Sequence, residues 1–283
     1  MEIIFLIDNR LYDKKLFSEH GLSILIKTDA GKTILCDTGL SGRFADNAEK
    51  LGEDLQKTDF AVISHGHNDH IGGLERFLQT NGTAPVYMSD KITGSLYYSS
   101  RGGKNHKISI DTSILESTFP ERIVKVEKSR WLSEDTALVF NTCYKYPEPA
   151  GNKFLTAKSP KGTCEYPDDF LHEMSLVFRT PKGIIIISPC SHNGILNIAE
   201  SCRKFAGTND IFAFIGGFHL PDGGGEKEKD LAELSGMLEK LYPEMLLYTG
   251  HCTGETALSY LSESLHRGMM HEFYTGLKIF WQF

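Results

Sequence analysis

The run His65-Gly66-His67-Asn68-Asp69-His70 constrains this chain more than any other feature. It sets four metal-capable side chains within six residues, directly after the apolar run Phe60-Ala61-Val62-Ile63-Ser64. So short and continuously apolar a segment is expected of a strand buried on both faces. Side chains two apart leave an extended segment on the same side, so the imidazoles of His65 and His67 converge on one ion. Asp69 and His70 fall where the chain turns into a helix, and they point toward a neighbouring position. The pattern therefore suits two adjacent divalent ions better than one. Imidazole combined with carboxylate selects zinc, the leading candidate, or manganese, iron or cobalt, rather than calcium or magnesium.

Four side chains cannot complete two coordination shells, so further ligands are expected from the ends of later strands. Three segments qualify: Ile187-Ser188-Pro189-Cys190-Ser191-His192, Ile215-Gly216-Gly217-Phe218-His219 and Tyr248-Thr249-Gly250-His251-Cys252. Each puts a histidine just past an apolar run, where α/β proteins keep their sites. His192 and His251 are the expected ligands, and His219 is a further candidate. Cys190 reads either as a small buried hydrophobe or as a thiolate ligand beside the ion, and Cys252 carries the same two readings. Cys36, Cys143, Cys164 and Cys202 are expected to be structural.

Around these motifs, strands alternate with helices along all 283 residues, with no repeat and no linker. That pattern predicts a single α/β domain over 1–283. Helices are expected over Phe44 to Leu51, from the cluster to Leu78, and over Gly194 to Phe205, Lys229 to Leu241 and Glu255 to Leu265; a last strand is expected over Thr275 to Phe280. The stretch from about 99 to 169 has a different texture, polar and rich in Pro, Gly and Lys toward its end. It reads as an excursion that lids a site. Its Lys104, Lys107, Lys153, Lys158 and Lys161 either meet an anionic small-molecule substrate or are simply solvated. A net charge of −7 argues against a grip on nucleic acid or an anionic membrane. No apolar run approaches the roughly 20 residues of a membrane span. The six cysteines form no CxxC pair, and the N-terminus reads as a strand rather than an export signal. A cytoplasmic protein with free thiols is the expectation. Oligomeric state is not legible.

The motif set resembles the metallo-β-lactamase superfamily, whose signature is HxHxDH after a buried strand. Glu19-His20-Gly21-Leu22-Ser23, Ile34-Leu35-Cys36-Asp37-Thr38-Gly39, Pro189-Cys190-Ser191-His192, Gly216-Gly217-Phe218-His219-Leu220 and His251-Cys252-Thr253-Gly254 extend the likeness over nearly the whole chain. They resemble the branch named for 7,8-dihydropterin-6-methyl-4-(β-D-ribofuranosyl)-aminobenzene-5′-phosphate synthase. The resemblance implies a four-layer αβ/βα sandwich and a binuclear site. His65 and His67 would hold the first ion; Asp69, His70 and His251 would hold the second. Asp37 would orient a ligand histidine from behind. Where the superfamily commonly has a bridging aspartate this chain has Pro-Cys-Ser-His, so His192, Cys190 or Glu173 would close the first site. The implied chemistry is hydrolysis of an ester or phosphoester by metal-bound hydroxide, with Asp69 as the proton-transferring group. The branch name implies a condensation with loss of phosphate or pyrophosphate instead. A metal-dependent small-molecule sensor is the non-catalytic reading.

Overall fold

The computed structural model describes residues 1–159, 162 and 164–283, and the chain divides into two compact units. The first comprises Met1–Glu127, Leu155–His172 and Phe273–Phe283; the second comprises Lys128–Phe154 and Glu173–Glu272.

The first unit is built on a seven-stranded sheet. From edge to edge its strands are Lys278–Phe280, Glu2–Ile7, Ser23–Lys27, Thr33–Cys36, Phe60–Ile63, Val86–Ser89 and Ile123–Val126. The first four are paired antiparallel and the last four parallel, with Thr33–Cys36 common to both sets. Isoleucine, leucine, valine and phenylalanine supply most of these strands, as expected where both faces are dry. Phe44 and Ala48 on the helix Arg43–Lys50, and Leu74, Phe77 and Leu78 on the helix Leu74–Thr80, pack in one core with Leu6, Leu35, Ile63 and Val86. Phe5 stacks on Phe273, with ring centroids 4.3 Å apart. A smaller sheet of Tyr166–Pro167, Leu155–Lys158, Leu96–Ser99 and His106–Lys107 completes the unit.

The second unit repeats that plan without repeating the sequence. Its sheet runs Met270–Glu272, Leu246–Thr249, Ile211–Ile215, Gly183–Ile187, Met174–Thr180, Thr136–Phe140 and Arg130–Trp131. The first four are parallel and the last four antiparallel. The helices Ile195–Ala206, Glu228–Leu241 and Glu255–Ser264 place Ile198, Ala199, Leu231, Leu238 and Leu261 in a core with Val177, Ile186 and Phe214. In both units the histidine-bearing turns follow the carboxyl ends of parallel strands.

Two expectations change here. The excursion at 99–169 is not one long lid: it supplies strands to all three sheets. Thr156 and Lys158 alternate with buried Leu155 and Ala157, a period-two pattern hidden by the neighbouring Pro and Gly. The last strand is only Lys278–Phe280, because the Leu277 N–H donates to the Tyr274 carbonyl and closes a turn over Thr275 and Gly276. Of the excursion lysines, Lys104, Lys107 and Lys153 are exposed and Lys158 is half-buried; Lys161 lies outside the described residues. No helix among the described residues is long and apolar enough to cross a membrane.

Candidate metal centre

In the first unit the strand Phe60–Ile63 delivers Ser64 and His65, and His67 caps the short helix Asn68–Ile71 that carries Asp69 and His70. His65, His67 and His70 are all buried, and the His65 ring lies 4.6 Å from that of His67 and 4.1 Å from that of His70. Three imidazoles that close, away from water, cannot all be charged. Burial pushes His65 well below its ordinary pKa, reinforced by His70 and His67. Burial likewise lowers His67, partly offset by its hydrogen bond to Asp168. Neutral imidazole is the form that donates a lone pair to a metal.

The buried Asp37 decides which nitrogen each ring presents. Its Oδ1 accepts from the Ser64 N–H at 2.7 Å; its Oδ2 accepts from Ser64 Oγ at 2.6 Å and from His70 Nδ1 at 2.7 Å. With its proton committed to Asp37, Ser64 Oγ accepts from His65 Nδ1 at 2.9 Å. Both rings therefore carry their proton on Nδ1, and Nε2 is the donor atom each can offer an ion. Asp37 reaches this position through a left-handed backbone, φ 59°, which short polar residues tolerate best. The Thr38 N–H and hydroxyl both donate to the His70 carbonyl, at 2.7 and 3.0 Å, and tie down the C-terminal end of the short helix.

His67 is held the opposite way round. Its Nε2 lies 3.3 Å from Asp168 Oδ2, so Nδ1 is the atom it can offer an ion. His172 Nε2 lies 3.2 Å from both Asp168 oxygens, and His172 Nδ1 accepts from the Gly66 N–H. Burial alone would raise the Asp168 carboxyl, but His172 and His67 overcome it and hold it well below the usual carboxylate range. His172 braces the turn with both nitrogens. Asp168 is absent from the sequence-based set, and its only signal is the four-residue spacing to His172 just before a strand. Replacing Asp168 with alanine is expected to weaken divalent-metal binding by about tenfold or more. Competition with a chromophoric chelator measures this, and an unchanged affinity would remove Asp168 from the site.

Asp69 is 14% exposed, with Oδ2 at 3.3 Å from His20 Nε2 and 3.6 Å from His70 Nε2. His20, assigned no role from sequence, thus faces the most exposed carboxylate of the cluster.

The second unit gathers its own donors. Cys190, His192, His219, His251 and Cys252 are all buried, and the rings of His192 and His219 lie 4.1 Å apart. Cys190 Sγ stands 3.2 Å from Cys252 Sγ and 3.5 Å from His219 Nδ1. Burial would raise the Cys252 thiol, but Cys190, His251 and His219 together hold it well below its ordinary value. Glu173 braces the loop: its Oε1 accepts from the His192 N–H at 2.7 Å, and its Oε2 accepts from the Asn193 N–H and side-chain amide. Cys36 and Cys202 have thiols pushed up by burial, as inert core residues do.

Donors of this kind fit a divalent transition metal: neutral buried imidazoles, oriented from behind by carboxylates, beside a partly exposed aspartate. The comparisons agree. Residues 19–139 match the family profile of the metallo-beta-lactamase superfamily. The chain is 29% identical to a 7,8-dihydropterin-6-methyl-4-(beta-D-ribofuranosyl)-aminobenzene-5′-phosphate synthase of Methanocaldococcus jannaschii, over 93% of this chain and 92% of that one. A metal-dependent hydrolase from Shouchella clausii is 32% identical over 33% of the chain and 39% of its own length. Among solved structures, a metal-dependent hydrolase of the beta-lactamase superfamily superposes with a TM-score of 0.79 at 27% identity, covering 99% of this chain and 98% of that one. With its α/β fold, its HxHxDH turn and these relatives, the chain resembles the metallo-β-lactamase superfamily, whose profile residues 19–139 match.

Proposed function

We propose that the protein is a metal-dependent hydrolase cleaving an ester or phosphoester of a small, anionic molecule. The observation that carries this reading is the opposed orientation of the buried rings. Asp37 and Ser64 turn His65 and His70 to offer Nε2, and Asp168 turns His67 to offer Nδ1. A structural histidine cluster has no need of such sorting. On this reading His65, His67, Asp69 and His70 hold two divalent ions, zinc first among them. The ions supply Lewis acidity toward a carbonyl or phosphoryl oxygen. Asp69 takes or gives the proton at Oδ2, where His20 Nε2 at 3.3 Å orients it. Asp37, Asp168 and His172 touch no substrate; they hold the ligand rings against rotation.

The likeness to the synthase over 93% of the chain favours a second reading, a condensation that joins a pterin precursor to an aminobenzene ribotide, with phosphate or pyrophosphate leaving from the pterin partner. One pair of assays separates the two. Zinc- or manganese-loaded protein is expected to turn over a generic aryl phosphodiester or ester, and His67→Ala is expected to lower that rate by at least about 100-fold. Absence of any turnover, with pyrophosphate released only when pterin and ribotide are both supplied, would replace hydrolysis by the synthase reading.

A further inference from the structure

The second unit holds a donor set that the hydrolase reading does not use. Cys190, His219 and Cys252 follow the strands Gly183–Ile187, Ile211–Ile215 and Leu246–Thr249, neighbours in one parallel array. All three strands exit through a residue that is not glycine yet sits in the left-handed region: Ser191 at φ 59°, His219 at φ 49° and His251 at φ 51°. Residues with a β-carbon adopt that region only at a steric cost. Strain of that kind persists where the surroundings dictate a geometry, and it concentrates at functional sites. Here it folds three turns over one end of the sheet and aims two sulfurs and an imidazole at a single point.

We propose that Cys190, Cys252 and His219 form a thiolate-rich site for a soft or borderline divalent ion such as zinc or cadmium. Their donor atoms all lie within 4.8 Å of one another, on residues that are 4%, 8% and 7% exposed. With zinc–sulfur near 2.3 Å and zinc–nitrogen near 2.0–2.1 Å, tetrahedral coordination separates sulfur from nitrogen by ~3.6 Å and the two sulfurs by ~3.8 Å. The observed separations are 3.5 and 3.2 Å, so binding needs the sulfurs to part by only about half an ångström. The His219 backbone N–H already donates to Cys252 Sγ at 3.3 Å, the contact that supports a ligating thiolate. On binding, each thiol gives up its proton to solvent, and both sulfur–hydrogen bonds are replaced by sulfur–metal bonds. Two thiolates neutralise the dication locally, which a purely imidazole set does not.

This goes beyond the hydrolase reading and is tested apart from it. Reduced full-length protein is loaded with cobalt(II), and thiolate-to-cobalt charge-transfer absorption is read in the near ultraviolet, where imidazole and carboxylate ligands contribute none. A band is expected in the wild type, at about half intensity in Cys190→Ser and in Cys252→Ser, lost in the double variant and unchanged in Cys202→Ser. His67→Ala, which tests the hydrolase, is expected to leave the band in place. A second measurement needs no variant: zinc is expected to protect the Cys190 and Cys252 peptides, but not the Cys164 peptide, from maleimide labelling. No band in the wild type, a band that Cys252→Ser leaves at full strength, or equal labelling with and without zinc would overturn the proposal.

Discussion

Asp37→Asn is expected to lower divalent-metal affinity by about 10–100-fold while leaving the fold in place. Asparagine keeps the volume and tolerates the φ of 59°. It also keeps one acceptor, so the Ser64 N–H remains satisfied. What changes is the second oxygen, which becomes an NH2 facing two donors, Ser64 Oγ and His70 Nδ1. His70 then escapes a donor–donor clash only by moving its proton from Nδ1 to Nε2, the atom it should offer the ion. The Ser64 hydroxyl must turn as well, and His65 loses the partner that fixes its own Nδ1 proton. A single atom exchange thus spoils two ligands through their tautomers. Asp37→Ala is the harsher change. It leaves the same buried donors without an acceptor, at about 1–3 kcal/mol each, and destabilises the protein as well as the site. Metal titration against a chelator, beside urea unfolding of the apo forms, separates the two effects. Wild-type affinity in Asp37→Asn would show that the carboxylate does not set the tautomers.

This arrangement explains why part of the site could be read from sequence and part could not. His65, His67, Asp69 and His70 are local: a strand end and one helical turn bring them together whatever the rest of the chain does. Asp37 was legible because it too ends a strand, Thr33–Cys36, which pairs with Phe60–Ile63. Asp168 lies 101 residues from His67, within a polar stretch whose strands are two to five residues long. Apart from the four-residue spacing to His172, nothing in its neighbours distinguishes it from a solvated loop aspartate until the fold buries it. The edge strand Met270–Glu272 was missed for a related reason: its His271 and Glu272 are exposed, so it carries no apolar pattern. The parallel strands were the easiest elements, because burial on both faces writes itself as unbroken runs such as Ile184 to Ile187. Such a run also marks its own carboxyl end, and so marks where ligands are sought.

The same strand ends leave no room for a side chain at Gly216. A β-carbon there would stand 1.8 Å from the Ser188 carbonyl oxygen and 3.2 Å from the Pro189 α-carbon, on a backbone whose φ is 146°. Neither side can give way. The Gly216 N–H donates to the Tyr248 carbonyl at 2.9 Å, and the Gly217 N–H donates to the Pro189 carbonyl at 2.9 Å, so the residue is tied to the strands on both flanks. Gly207 offers the matched contrast. It caps the helix Ile195–Ala206 at φ 69°, but a β-carbon there meets nothing within 4 Å. Gly207→Ala is therefore expected to cost only the conformational term, about 1–2 kcal/mol. Gly216→Ala carries a similar term plus a clash with fixed backbone, for a total of about 3 kcal/mol or more, read as the shift in urea midpoint at unchanged slope. Equal losses in the two variants would mean that φ alone, not the close approach of the strands, demands glycine. Where Gly216→Ala still folds, relief must come from displacing Ser188–Pro189 or Gly216–Gly217. Those segments lead into Cys190 and His219, so the residual fold is expected to lose thiolate-to-cobalt absorption first.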